Sequence, residues 1–334
     1  MTEINLTLDQ VGELAQSALE RAGASAINAA SVARSTVRAE RDGIRSHGLM
    51  YVPIYAEHVS CGKVNGKAVA SVEQTRGSAI CVDAKSGFAH PAIDAGWQAL
   101  TGATRENGVA AMTINNSYNC GVLGHHAERF AEEGFIGLCF THAPASIAPV
   151  GGKTPVIGTN PFSIAVPDGR GGATLVIDQS SSAIAKSEIM LRARNGEEIE
   201  SGWALDEHGN ATTNAEAALK GSMIPSGGYK GFGAGLLVEI LAACLSGSSL
   251  SKDASPFSGT KGGPPGTGQC FIAIDPGAFS DHFADRIAGL AAAITDQEGA
   301  RLPGARRHAN RQKIDREGVV VDERLVFRIR EFGR

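Results

Sequence analysis

The spacing of apolar positions divides the chain into a helical start and a longer stretch of alternating strands and helices. Val11, Leu14, Ala15, Ala18 and Leu19 share one helical face. They follow Thr7-Leu8-Asp9-Gln10, in which a glutamine stands three residues after a threonine as in a capping box. Ala22-Gly23 ends this helix. Ser25 caps a second one, which runs through Val32 and Val37 to Arg41 and breaks at Asp42-Gly43. Ile44-Arg45-Ser46-His47-Gly48 then reads as a turn, and a third helix covers 52–61.

From residue 70 onward short apolar runs predict strands at 78–82, 109–114, 136–141, 162–166, 175–178, 270–274 and 318–322. Helices are expected at 91–106, 121–133, 213–224, 233–245 and 281–295, with a short one at the C-terminus. Residues 252–268, rich in Gly, Pro, Ser and Lys, read as a long exposed loop. The alternation points to an α/β or α+β fold.

Composition changes this picture little. The 43% hydrophobic share is enough for a core of ordinary size. Glycine is the exception: 42 of 334 residues, without a G-X-Y period, which favours tight turns and close backbone approaches to a ligand. A net charge of −4 with no long like-charge run gives no reason to expect nucleic acid or an anionic membrane as partner. Cys61, Cys81, Cys120, Cys139, Cys244 and Cys270 form no C-x-x-C pair. The start MTEINLTLDQ lacks a basic stretch followed by an apolar one, and no apolar run is long enough to span a bilayer, so a cytoplasmic protein with reduced thiols is expected.

Motif searches exclude more than they assign. Neither G-x-G-x-x-G nor a G-x-x-x-x-G-K-[ST] phosphate loop is present, and Gly231-Phe232-Gly233-Ala234-Gly235 has the wrong spacing. His47, beside Ser46 at a helix stop, reads either as a surface histidine or as a proton-transfer group. No G-x-S-x-G elbow presents a nucleophilic serine. The polar run from Asn115 to His126 lies between a strand and a helix, where backbone amides suit a phosphate or carboxylate, or where asparagines simply cap a turn. His125 and His126 are helix neighbours about 100° apart and ill placed to share a metal, so none is expected. Asp178, before three serines, reads as a carboxylate able to polarise a histidine or as a turn former.

Taken in order, several segments resemble the malate/L-lactate dehydrogenase-like oxidoreductases, a family distinct from the Rossmann-type lactate dehydrogenases. They are Arg45-Ser46-His47-Gly48, Gly87-Phe88-Ala89-His90-Pro91-Ala92, and Asn116-Ser117 through Gly121. Further along come Ala148-Pro149-Val150-Gly151-Gly152, Gly158-Thr159-Asn160-Pro161, Asp178 with its serines, Gly227-Gly228-Tyr229-Lys230-Gly231 and Arg301-Leu302-Pro303-Gly304. Members act on sulfolactate, ureidoglycolate or diketogulonate, or reduce piperideine-2-carboxylate and pyrroline-2-carboxylate.

The resemblance implies a non-Rossmann nicotinamide-binding domain with a mainly antiparallel central sheet, and a homodimer. It implies an N-terminal helical region (1–70) carrying the catalytic histidine, a nicotinamide-binding core (71–245), and a C-terminal part (246–334) returning to the first region. It further implies NAD or NADP as cofactor, with NADPH favoured, and His47 as proton donor and acceptor with Ser46 and Glu188 in a relay. Asn119, Cys120, Gly121, Val122 and Leu123 match cofactor-contacting segments, as do Asp178, Gln179, Ser180, Gly228, Tyr229, Lys230, Arg301, Pro303, Gly304 and Arg306. Lys153, Thr159, Asn160 and Lys186 match positions near the substrate.

Two positions depart from the pattern. Asn119 replaces a histidine common in the family, and Tyr51 stands four residues after His47 where many members carry a carboxylate-binding arginine. Anchoring through Arg45, Lys153 or Lys186 is then expected, which suits a second anionic group. The expected reaction is interconversion of a small 2-oxo acid and its 2-hydroxy acid, with reduction of a cyclic 2-imino acid as the alternative.

Overall fold

The computed structural model describes residues 2–332. Its centre is a seven-stranded sheet in the spatial order Ser71–Arg76, Ala79–Asp83, Val109–Ser117, Thr267–Ile274, Ile136–Thr141, Phe162–Pro167, Ala173–Gln179. Only Ala79–Asp83 and Val109–Ser117 pair in parallel, and every other neighbour is antiparallel. This is a mixed α/β fold with a largely antiparallel sheet, as the resemblance implied.

Thr267–Ile274 lies in the middle of the sheet and is apolar or small at almost every position because both its faces are covered. On one face pack the helices Ala89–Asn107 and Leu123–Glu132, burying Trp97, Leu100, Phe130 and Phe271. Trp97 stacks on Phe130 at 4.2 Å, and the Arg129 guanidinium covers the other ring face at 3.8 Å. Gly96 is required at this contact, since a Cβ there would fall 2.3 Å from Met112 Sδ. The other face is closed by Tyr229–Glu239 and the π-helical turn Ile240–Cys244, through Val238 and Ala242 against Phe140 and Cys270.

The N-terminal helices Leu8–Arg21, Ala26–Arg41 and Val52–Ser60 form a second core. Both halves of the Thr7–Gln10 capping box are made. The strand Glu3–Leu6 pairs antiparallel with Val319–Asp322, and Leu6, Val11, Leu49, Val319, Val321, Val326 and Ile329 pack into one cluster.

Several elements differ from the sequence expectation. Glu3–Leu6 and Ser71–Arg76 are additional strands, the latter exposed at every position and so without an alternating pattern. Lys186–Asn195 and Ala305–Glu317 are additional helices. The helix expected at 213–224 is shorter, Ala215–Lys220, because 222–223 joins 204–205 and 211–212 in a small three-stranded sheet. Among the described residues no helix is long and apolar enough to cross a membrane.

Candidate active site

The second helix stops at Asp42, Gly43 follows at φ +74°, and two short 3₁₀ turns, Arg45–His47 and Leu49–Tyr51, lead into Val52–Ser60. The turns are fixed from below: the Leu49 amide donates to Glu40 Oε1 at 2.7 Å. Gly48 has to be glycine because a Cβ would collide with that carboxylate. Burial raises the Glu40 pKa above the usual carboxylate value.

His47 is half-buried, and Ser46 Oγ lies 3.0 Å from its Nδ1. A neutral His47 that accepts there carries its proton on Nε2. The walls around the ring lower its pKa below 6.5; Asp178 favours the charged form, while His125 and Arg307 oppose it. The Tyr51 ring is parallel to His47, 6° between planes at a 6.4 Å centroid distance, and meets Tyr55 edge-on at 4.7 Å. Burial pushes the Tyr51 hydroxyl up to about 12. Arg45 is exposed on the same turn.

Asp178 is the next-to-last residue of the strand Ala173–Gln179. Its Oδ2 accepts from the Gly124 amide at 2.9 Å, at the start of the helix Leu123–Glu132, and from Arg307 Nη2 at 2.7 Å. A carboxylate is favoured there by the helix dipole. A Cβ on Gly124 would sit 2.4 Å from Arg307 Nη1 and 2.7 Å from Asp178 Oδ2. Gly124→Ala is therefore expected to displace the ion pair and lower kcat/KM by about 10²-fold, since a shift of about 1 Å at a catalytic constellation has that effect. Steady-state kinetics on a variant with unchanged circular dichroism checks this, and a wild-type rate would remove the pair from the site.

The expected cofactor segments fall into three groups. Asp178, Gln179, Arg301, Pro303, Gly304 and Arg306 line one cleft of about 520 Å³, together with Arg307. Its floor is fixed where the Val176 amide donates to the Pro303 carbonyl at 3.1 Å. Gly304, at φ +91°, opens the helix Ala305–Glu317, which has no side-chain cap at its N-terminus. Three arginines suit the phosphates of a dinucleotide. Secondly, Ser180 joins the Gly228–Lys230 turn through the segment beside it: the Ser226 amide donates to the Ser181 carbonyl at 2.9 Å. Gly227 and Gly228 have positive φ, and Tyr229 and Lys230 are exposed.

Thirdly, Asn119–Leu123 forms the loop before the helix Leu123–Glu132. Asn119 Oδ1 accepts from the Gly121 amide at 2.7 Å and from the Tyr55 hydroxyl at 3.3 Å, so its side chain shapes the loop. Cys120, Val122 and Leu123 are buried. Burial pushes the Cys120 thiol up to about 12, far from a reactive thiolate.

The expected substrate residues are more dispersed. Asn160 is 0% exposed, at φ +38°, and its amide nitrogen donates to the Gly235 carbonyl at 3.0 Å and to Glu239 at 2.8 Å. Its side chain is committed to the loop. Thr159 is half-buried and accepts from the Ser181 amide through its carbonyl. Lys153 is exposed. Lys186 is accessible but crowded, and reduced hydration lowers its pKa. Glu188 receives Arg192 Nε at 3.1 Å on its own helix. Among the carboxylates, Asp178 is the one whose charge favours protonated His47.

Sequence reasoning missed the charged layer behind His47. Arg311 binds Asp42 through Nε at 2.6 Å and Nη2 at 2.9 Å, and binds Glu128 at 2.6 and 2.7 Å. His125 Nε2 lies 2.9 Å from Asp42. Arg307 and Arg311, one helical turn apart, were the available signal.

The fold and this site define an oxidoreductase. A family model described as malate/L-lactate dehydrogenase matches residues 6–330, and the chain belongs to that family. It is 42% identical to a (2R)-3-sulfolactate dehydrogenase (NADP(+)) of Chromohalobacter salexigens, covering 98% of each chain. It is 37% identical to a Delta(1)-pyrroline-2-carboxylate reductase of Ancylobacter novellus, over 99% of this chain and 98% of the relative. The crystal structure of delta1-piperideine-2-carboxylate reductase from Pseudomonas syringae superposes with a TM-score of 0.93 at 33% identity, covering 98% of this chain and 99% of that one. The protein is an NAD(P)-dependent oxidoreductase acting on a small carboxylic acid.

Proposed function

We propose that this enzyme reduces a cyclic 2-imino acid of the pyrroline-2-carboxylate or piperideine-2-carboxylate type, with NADPH as reductant. The observation that carries the reading is Tyr51. Many relatives place a cation at this position, and this chain places a flat aromatic face parallel to the His47 ring. Such a face suits the methylene edge of a five- or six-membered ring and offers nothing to a second anionic group. The resemblance to a pyrroline-2-carboxylate reductase and to the fold of a piperideine-2-carboxylate reductase supports the same reading.

When bound, the reduced nicotinamide supplies a hydride to the imine carbon. His47 transfers its Nε2 proton to the nitrogen as the C=N π bond opens, giving a cyclic secondary amine. Ser46 holds the ring, and Asp178 stabilises the charged imidazole before transfer. Arg301 and Arg306 favour the extra phosphate of NADPH over NADH.

A second reading, oxidation and reduction at a 2-hydroxy/2-oxo centre, is favoured by the 42% identity to a sulfolactate dehydrogenase. NADPH oxidation with piperideine-2-carboxylate, pyrroline-2-carboxylate, sulfopyruvate, oxaloacetate and pyruvate separates the two. We expect the imines to have the highest kcat/KM; a clear preference for sulfopyruvate or oxaloacetate would establish the second reading. Tyr51→Arg is expected to move the ratio toward the doubly anionic oxo acids by about tenfold, the scale of one gained charged contact.

A homodimer is proposed from the helix Phe283–Thr295, which is largely apolar yet buries no residue, and from exposed Leu236, Leu237, Ile240 and Leu245 on the sheet-covering helix and its end. Sedimentation equilibrium is expected to give twice the 34.5 kDa chain mass.

A further inference from the structure

Arg307 belongs to two sites at once. Its guanidinium lines the arginine-rich cleft beside Arg301 and Arg306, and its Nη2 holds Asp178 Oδ2 at 2.7 Å. Both partners are mostly buried, with 20% and 12% of their side chains exposed. Asp178, on the edge strand Ala173–Gln179, is near enough for its charge to act on His47. The contact that neutralises this carboxylate is therefore made by a residue on the wall of the phosphate-binding cleft.

The other charges around His47 are committed elsewhere. Glu40, from the helix Ala26–Arg41, accepts from the Leu49 amide. His125, from the helix Leu123–Glu132, is held by the buried Asp42, which Arg311 also grips. Arg45 is exposed on the turn itself, and Tyr51 is half-buried, with its hydroxyl pushed up to about 12. Only the Asp178–Arg307 pair touches the cleft, so only its balance responds directly to an anion there.

We infer that Arg307 couples nucleotide binding to proton delivery: a nucleotide phosphate that draws its guanidinium from Asp178 leaves that carboxylate to act on His47 alone, so the acid is charged when the cofactor is in place. A phosphate competes well for a guanidinium, since both offer planar or multidentate charge-assisted bonds. Asp178 keeps the Gly124 amide and so stays in position after the exchange. The direction agrees with the two opposed influences on His47, favourable from Asp178 and unfavourable from Arg307. Arg307 is thus a positioning residue that acts through Asp178. The inference rests on reading the cleft as the nucleotide site and His47 as the acid.

The test is an NMR titration of the His47 imidazole in the full-length protein with ¹³C-labelled histidine, the resonance being identified by its loss in His47→Gln. The probe is 2′-phospho-ADP-ribose, which carries the nucleotide phosphates without a nicotinamide ring. In the wild type, saturating probe is expected to raise the His47 pKa by about one unit, the size of effect that gaining or losing one nearby charge produces. In Arg307→Gln the free protein is expected to show the raised value already, with no further change on adding probe; Arg307→Lys keeps the charge and the low starting value. A wild-type titration unmoved by the probe, an absence of probe binding, or an Arg307→Gln titration matching the free wild type each overturns the inference. Should Arg307→Gln fail to fold, the wild-type comparison with and without probe decides alone. The readout is independent of turnover: a failed imine panel leaves it intact, and a failed titration leaves the panel and the His47→Ala kinetics to judge the activity.

Discussion

His47→Ala is expected to lower kcat for reduction by about 10²–10⁴-fold, the range for loss of a positioned general acid, while the NADPH dissociation constant, measured at a pH where the imidazole is neutral with and without nucleotide, stays that of the wild type. The separation follows from geometry: His47 sits on the 3₁₀ turn Arg45–His47, and the cleft proposed to take the dinucleotide is lined by 176–179 and 301–307. Stopped-flow turnover with fluorescence titration of NADPH measures both quantities. Near-normal kcat would remove His47 from the mechanism. The pH profile adds a second readout. Surrounding protein holds the His47 pKa below 6.5 in the free enzyme, and reduction needs the protonated form. The rate is therefore expected to fall as pH rises through that pKa, and Asp178→Asn, which removes the favourable charge, moves the fall to lower pH.

The second large effect is on stability. Arg311→Met is expected to cost about 3–5 kcal/mol, the range for breaking a buried ion pair from one side. Asp42 and Glu128 have only 1% and 4% of their side chains exposed, so both carboxylates would be left in a poorly hydrated layer. Burial by itself raises both carboxyls, but the Arg311 bonds, with His125 on Asp42 and Arg38 on Glu128, outweigh it and hold both below their ordinary values. Groups with lowered native pKa contribute stability above their unfolded values and lose it as pH falls through the native ones. The gap between wild type and variant should thus be full at about pH 7 and narrow toward about pH 3. Urea denaturation at both conditions checks this; a gap independent of pH would mean that Arg311 acts through packing alone.

Much of this was legible where local rules and tertiary structure agree. Thr7 and Gln10 announce the first helix because a capping box is a contact within one turn. His47 and Ser46 stand at a visible helix stop, though only the ordered family segments gave them a role. Ala305–Glu317 was not legible, because it is polar on all sides and buries no residue, so it lacks an apolar stripe. Its docking depends on Arg307, Asn310, Arg311 and Asp315 meeting partners far away in the chain. Asp42 and Arg311 are 269 positions apart, and no periodicity reports such a pair. Glu188 and Asn160 illustrate the converse: matching a family position fixed neither what Glu188 bonds to nor whether Asn160 is reachable.

The pairing of Glu3–Leu6 with Val319–Asp322 has a consequence for how the chain comes off the ribosome. The segment bearing His47 is made well before its partners. Its cluster lacks Val319, Val321, Val326 and Ile329, and Asp42 lacks Arg311, until those later residues have been made. Contacts of such sequence separation form late. The nascent chain therefore leaves the His47 turn without its long-range support until 311–329 have been made, and a chain cut short before them is an unfinished one rather than a slower one.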